Sequence, residues 1–541
     1  MIRHTLNYLV LFIALNVSAQ SVNEHPWWKE TVFYQIYMPS FQDSDGNGIS
    51  DFRGMSSRLD YLQSLGIKGI WLTPFLSSPK VDNGYDVADY YHIDPVYGTQ
   101  DDFRIFLTEA HKRNIKVIMD MVLNHTSTDS KWFQESRKSK DNPYRNYYIW
   151  KDKPNNWESF FGGGAWKLDS LTNQYYLHKF AVRMADLNWA NPAVVTEIQK
   201  VLRFWLDQGV DGFRFDVINF LNTDDIITDN PVKDGKLQAV YNINQPGVKK
   251  AIAIIRATVN EYKDHFTVGE VGNDQIDVLQ QYQSPQLLDV VFNFNFGSIP
   301  AFSVDRLFNE LQSMEKHMPG YPTLFFGSHD NPRIMDRLAG GSVKRANALA
   351  VLMLTAKGVP FIYYGEETGM KNITANSYDE IADIQGKTFY KLAMDAGKTK
   401  DEALLEGNNH NRDKSRSPMQ WDGTANAGFT TGKPWIKLNE NYPEVNVSKE
   451  MQQENSMLNT YKALLKMRNK EKALQYGGYG KLERHDDMIL FTRTYLAEKI
   501  TVMINFGKVQ NVDIPRGATI LMGNSILHPN EFLIYRTTAS N

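Results

Sequence analysis

Eight short, β-rich apolar runs recur between residues 31 and 365, most of them separated by stretches of helical spacing, and this rhythm constrains the chain more than any other feature. The runs cover 31–38, 67–73, 115–121, 210–217, 266–271, 288–295, 323–327 and 360–364. Strand alternating with helix is the pattern of a parallel sheet, and eight such units close a (β/α)8 TIM barrel. The rhythm breaks once, between the third and fourth runs, where polar Trp- and Gly-rich sequence predicts a small inserted domain over 126–188. The barrel is then expected over 20–125 and 189–474. From residue 475 apolar and polar positions alternate, as in Met488-Ile489-Leu490-Phe491, between Gly and Asn turns. This predicts a C-terminal antiparallel β domain over 475–541, of β-sandwich type.

The bulk properties exclude several classes of function. A formal net charge of −3, with no block of Lys or Arg, supplies no field for a polyanion, so nucleic acid is not an expected partner. Residues 1–19 read as a signal peptide: Arg3 and His4 open it, Leu6 to Val17 are apolar, and Val17-Ser18-Ala19 offers small residues for cleavage. The expectation is a secreted or periplasmic protein with no membrane association after cleavage. There are no cysteines, which removes disulfides and thiolate metal sites.

In a barrel of this kind the chemistry gathers where the strands end, and here those ends are rich in acids. The third run leads into Asp120 to His125, the fourth into Arg214-Phe215-Asp216 and the fifth into Gly269-Glu270, and His329-Asp330 follow the seventh. Converging carboxyls repel one another, so several on one rim point to function. Glycosidic cleavage needs two: one protonates the leaving oxygen while the other attacks or activates water. Asp216 and Glu270 fit, and Arg214, two residues before Asp216 on the same side of the pleat, would hold that carboxylate ionised.

These segments resemble the shared sequence blocks of the α-amylase superfamily, glycoside hydrolase family 13, from about Trp27 to the C-terminus. The resemblance implies Asp216 in GFRFDVINF as nucleophile, Glu270 in TVGEVG as acid/base, and Asp330 in GSHDNPR as the third acid. It also implies that His125 and His329 border the cleaved sugar. Within the family the chain is similar to oligo-1,6-glucosidases, dextran glucosidases and α-glucosidases. There Asp82 and Tyr85 would close the pocket, Phe161 and Phe180 would line it, and Arg416 of the RDKSRSPMQWD loop would reach into it. Two departures stand out: Met184-Ala185-Asp186-Leu187-Asn188 replaces the subgroup's usual Gln-Pro-Asp-Leu-Asn, and Ser328 replaces a frequent Asn.

Asp43, Asp45, Asn47, Ile49 (through its carbonyl) and Asp51 place oxygen donors at alternate positions around glycines, the spacing of a loop wrapped on Ca2+. The expected function is a retaining, exo-acting α-glucosidase on α-1,6 and also α-1,4 bonds of α-glucan oligosaccharides. Val217, after the nucleophile, accompanies α-1,6 cleavage in the resembling subgroup. Met184 instead favours a neopullulanase-like or endo-acting enzyme. A transglycosylase such as a trehalose synthase, and a scaffold like the transporter heavy chains, are the remaining alternatives.

Overall fold

The computed structural model describes residues 26–318 and 320–538, so the leader predicted over 1–19 lies outside the described residues. A strand overlaps each of the eight runs: β1 (Phe33–Ile36), β2 (Gly69–Leu72), β3 (Lys116–Val122), β4 (Gly212–Asp216), β5 (Phe266–Gly269), β6 (Val290–Val291), β7 (Thr323–Leu324) and β8 (Val359–Tyr363). They form one eight-stranded sheet in the order β6-β5-β4-β3-β2-β1-β8-β7, with parallel pairing throughout. The backbone ladder stops between β6 and β7. A buried side chain spans the gap: Thr323 Oγ1 accepts from Asn293 N at 3.0 Å and donates to Val291 O at 3.1 Å. The barrel is nearly closed, and a hydroxyl does the work of the missing rung.

Its interior is apolar at one end and polar at the other. Phe33 stacks on Phe266 and on Phe361 at 5.0 and 4.9 Å, within a cluster that includes Ile118, Val268, Phe292 and Phe325. Side chains two residues further along each strand point the same way. On β3 and β4 the register pairs Ile118 with Gly212, Asp120 with Arg214 and Val122 with Asp216, so the inward column changes from apolar to ionic toward the C-terminal rim. The helices cover the outside; Gln100–Lys112, for example, starts at a Thr99/Asp102 capping box and buries Phe103, Phe106 and Leu107.

After β3 the chain leaves the barrel on a two-stranded stalk in which His125–Ser127 pairs antiparallel with Met184–Asp186. Beyond the stalk lie a three-stranded sheet and a small core of Ile149, Trp157, Ala165 and Leu177. A second excursion, within the 189–474 span expected to be barrel, follows β8. It carries the helical hairpin α1 (Ile384–Asp395) and α2 (Lys400–His410). At the C-terminus β9 (Gly478–His485), β10 (Met488–Tyr495), β11 (Glu498–Asn505), β12 (Thr519–Gly523) and β13 (Glu531–Thr538) form one antiparallel sheet in the order β9-β10-β11-β13-β12. A two-stranded ribbon accompanies it, so the predicted sandwich is a sheet plus ribbon and not two full sheets.

Candidate functional site

A cavity of about 400 Å³ opens at the C-terminal rim of the barrel between the inserted domain and the helical hairpin. Its lining brings together Asp82, Tyr85, His125, Phe161, Phe180, Asp216, Glu270, His329 and Asp330, nine residues named from sequence. Arg214 lies beneath them, buried, and organises the acids. Its Nη1 donates to Asp120 Oδ1 at 2.8 Å and to Asp216 Oδ1 at 2.7 Å, while Nη2 donates to Glu270. Asp216 and Glu270 thus sit on the two prongs of one guanidinium, close enough that Asp216 raises the Glu270 carboxyl further. The gap of roughly 6.5–9.5 Å that an inverting pair leaves for water does not suit such an arrangement.

Burial pushes both carboxyls up. Asp216 reaches about 7 against the pull of Arg214, with Asp120 and Asp330 adding repulsion. Glu270 reaches about 8 against the same pull, with Asp216 and Asp330 repelling. Burial raises Asp330 too, but His329, Arg412, Arg416 and Arg214 outweigh it and hold this acid well below the usual carboxylate range. One group that stays ionised therefore faces a pair of which Glu270 gives up its proton last.

The histidines are neutral donors, since burial draws His329 down to about 3 and His125 to about 4. Gln35 Nε2 donates to His329 Nδ1 at 2.7 Å, which puts the proton on Nε2, 2.7 Å from Tyr85 Oη. Tyr85 lies parallel to the His329 ring at 5.3 Å and donates to Asp120 Oδ2 at 3.0 Å. His125 Nε2 donates to Tyr85 O at 3.1 Å. Asp82 and Tyr85 come from a turn in which Gly84 has φ +105° and an added Cβ would lie 2.8 Å from Pro74 O, so glycine is required there.

One position is corrected. Arg416 does not reach the cavity; it is 1% exposed and lies underneath, with Nε on His329 O at 2.8 Å and Nη2 on Asp330 Oδ1 at 3.1 Å. The arginine that lines the cavity is Arg412, whose Nη2 bonds Asp82 and Asp383 at 2.5 Å each and whose guanidinium lies 5.1 Å over the Phe161 ring. Both arginines converge on Asp330 and Asp383, so the spacing in RDKSR could not say which one faces substrate. Gln385, Asn409, His410, Asn411 and Lys414 also line the wall and were not singled out from sequence, because they belong to the unread hairpin and the turn after it. Met184, Val217 and Pro332 complete the lining.

Away from the cavity, carboxylate oxygens of Asp43, Asp45 and Asp51 lie within 4.8 Å of one another. Gly46 and Gly48, with φ of +82° and +88°, curl the loop around them. Three hard oxygen donors this close together suit a calcium ion, and in the same loop Asn47 Oδ1 accepts from Ile49 N at 2.8 Å.

The Alpha amylase catalytic-domain family matches residues 35–477. The oligo-1,6-glucosidase of Parageobacillus thermoglucosidasius is 40% identical over 90% of this chain and 91% of its own length. The glucan 1,6-alpha-glucosidase of Streptococcus pneumoniae serotype 4 is 35% identical over 92% and 96%. Among solved structures, the trehalose-6-phosphate hydrolase of Bacillus licheniformis superposes with a TM-score of 0.87 at 37% identity, covering 95% of this chain and 100% of that one.

Proposed function

Because this chain belongs to the α-amylase family of glycoside hydrolases, we propose that it is a retaining, exo-acting α-glucosidase that removes terminal glucose from α-1,6-linked oligosaccharides. The observation that carries this reading is the placement of Asp216 and Glu270 on one guanidinium at the base of a cavity about one to two sugars in volume. In the first step Asp216 attacks the anomeric carbon while Glu270 gives its proton to the departing glycosidic oxygen, leaving a β-glucosyl ester on Asp216. In the second Glu270, now ionised, takes a proton from water as that water displaces Asp216, and α-glucose leaves. Asp330 stays ionised through both and accepts from ring hydroxyls. His125 and His329 border the sugar, and Asp82, Tyr85 and Arg412 bound the blind end of the pocket.

The loop of Asp43, Asp45, Asn47, Ile49 and Asp51 would hold calcium, which when bound neutralises its carboxylates and ties the turn after β1. The N-terminal leader read from sequence supports export to the periplasm or medium. Products from isomaltose, panose, maltose and soluble starch test the activity. Glucose released from isomaltose and panose faster than from maltose supports it, whereas oligosaccharides appearing first from starch would turn the reading toward an endo-acting enzyme.

A further inference from the structure

Lys179 lies in the inserted domain, immediately before Phe180 of the cavity wall, and its side chain has no exposed surface. Its ammonium is 3.6 Å from Asp186 Oδ2 and donates to the carbonyl oxygen of Phe220. Asp186 also accepts from Lys179 N at 2.9 Å and from Asn222 Nδ2 at 3.0 Å. Phe220 ends the single 3-10 turn Ile218–Phe220, which starts from Val217, so Lys179 grips the far end of the segment that follows the nucleophile. The near end is gripped from just past β5, where Ile218 N donates to Glu270 O at 2.9 Å. Val217 lies just before both attachments and is tied to the turn by its own carbonyl, which accepts from Phe220 N at 2.9 Å; it holds φ 34° and ψ 47°, a left-handed conformation that a β-branched side chain rarely adopts.

Apolar side chains of similar volume often match or exceed the stability of a buried ion pair, so the consequence to look for here is geometric. The geometry points to Lys179, with Asp186, as a positioning residue for linkage choice. Through the Phe220 carbonyl it sets where the Val217 side chain stands in the cavity beside the attacking carboxylate. This rests on the α-glucosidase reading above. Burial draws the amine down to about 8, against the opposing pull of Asp186, which leaves it charged at neutral pH.

The test is the ratio of kcat/KM for isomaltose to that for maltose, measured with the melting temperature and with turnover of 4-nitrophenyl α-glucoside. Lys179→Met combined with Asp186→Asn removes both charges at nearly constant volume, so neither is left alone in the interior. The expected result is a change of about 2- to 30-fold in the ratio, the range for residues that act through others. Lys179→Arg, which keeps the cation, should return the ratio toward the wild-type value. An unchanged ratio in the double variant overturns the proposal, whatever its melting temperature. Should that variant not fold, Lys179→Gln is read by the same ratio with the same meaning. Failure of the underlying reading looks different: the wild-type protein would then cleave neither the disaccharides nor 4-nitrophenyl α-glucoside.

Discussion

Val217 shows most directly how one residue can tune the chemistry beside it. Its left-handed backbone directs a stiff branched side chain into the cavity next to Asp216, where it narrows the space for the departing sugar. A 1,6-linked glucose can swing clear on its extra exocyclic carbon and a 1,4-linked one cannot. Val217→Thr adds a hydroxyl at constant shape and Val217→Ala opens room, so each should move the isomaltose-to-maltose ratio of kcat/KM toward maltose by about 1–3 kcal/mol. A wild-type preference for maltose that Val217→Thr leaves unmoved would make Met184, on the same wall, the better guide to linkage. The two acids give a second expectation. Asp216 must be ionised, so kcat/KM rises through its value of about 7; Glu270 must be protonated, so kcat/KM falls through its value of about 8. The pH profile on isomaltose should be a narrow bell, and for 2,4-dinitrophenyl α-glucoside, whose leaving group needs no proton, the alkaline limb should disappear. Asp216→Asn and Glu270→Gln should each abolish isomaltose turnover without a drop in melting temperature. Most of this was legible because the acids end apolar runs and the runs fix which way side chains face. Arg412 was not, since Arg412 and Arg416 share the same acidic partners and only the folded turn separates them.

Elements were legible in proportion to the apolar surface they bury. The barrel strands are buried along nearly their whole length and read as continuous apolar runs. The hairpin escaped because α1 fully buries Gly386 and Ala393 and α2 Ala403 and Gly407, four small residues that make no apolar stripe. Those small residues let the helices approach closely: a Cβ added at Gly407 would lie 3.1 Å from Gly386 O and 3.2 Å from Tyr390 Cβ. Gly407→Val should therefore cost about 1–3 kcal/mol through overpacking. It should also raise KM for isomaltose more than it lowers kcat, since Gln385 and His410 on the cavity wall belong to the displaced helices. An unchanged KM in a destabilised variant would show that the hairpin is only a cover. The loop after β1 carries a separate expectation. If it holds calcium, a chelator should lower the melting temperature by several degrees while the rate at moderate temperature barely changes, because an ion bound only by the folded state stabilises by mass action. Asp45→Ala should remove that sensitivity, and a melting temperature indifferent to chelator in the wild type would leave the loop a solvated acidic turn.

At the scale of the whole molecule the barrel supplies the acids, and the two excursions from its rim decide what can reach them. The inserted domain brings Phe161 and Phe180 to one side of the cavity, and the segment after β8 brings Gln385, His410 and Arg412 to the other. The two sides meet where Arg412 lies over Phe161 at 5.1 Å, and where Leu392 of α1 packs against the turn at Gly162. On the α-glucosidase reading, Asp82, bonded to Arg412, and Tyr85, stacked on His329, would shut the end of the cavity beyond the cleaved sugar. A chain that continued past its non-reducing end would collide with them, so the only productive pose places a terminal glucose against this wall. Isomalto-oligosaccharides of increasing length should accordingly release glucose as the sole early product, and dextran viscosity should fall no faster than glucose appears. The glucose should emerge as the α anomer before mutarotation, as two successive inversions at one carbon require. Arg412→Ala removes a charge-assisted contact to Asp82 together with the cation over Phe161, and should cut kcat/KM for isomaltose by about 10- to 100-fold. It should not create endo-action, because Tyr85 and the insert still block the far end. If instead Arg412→Ala released isomaltose or longer products from dextran, Arg412 alone would be the stop, and the chain's exo-action would rest on one side chain and not on the meeting of two excursions.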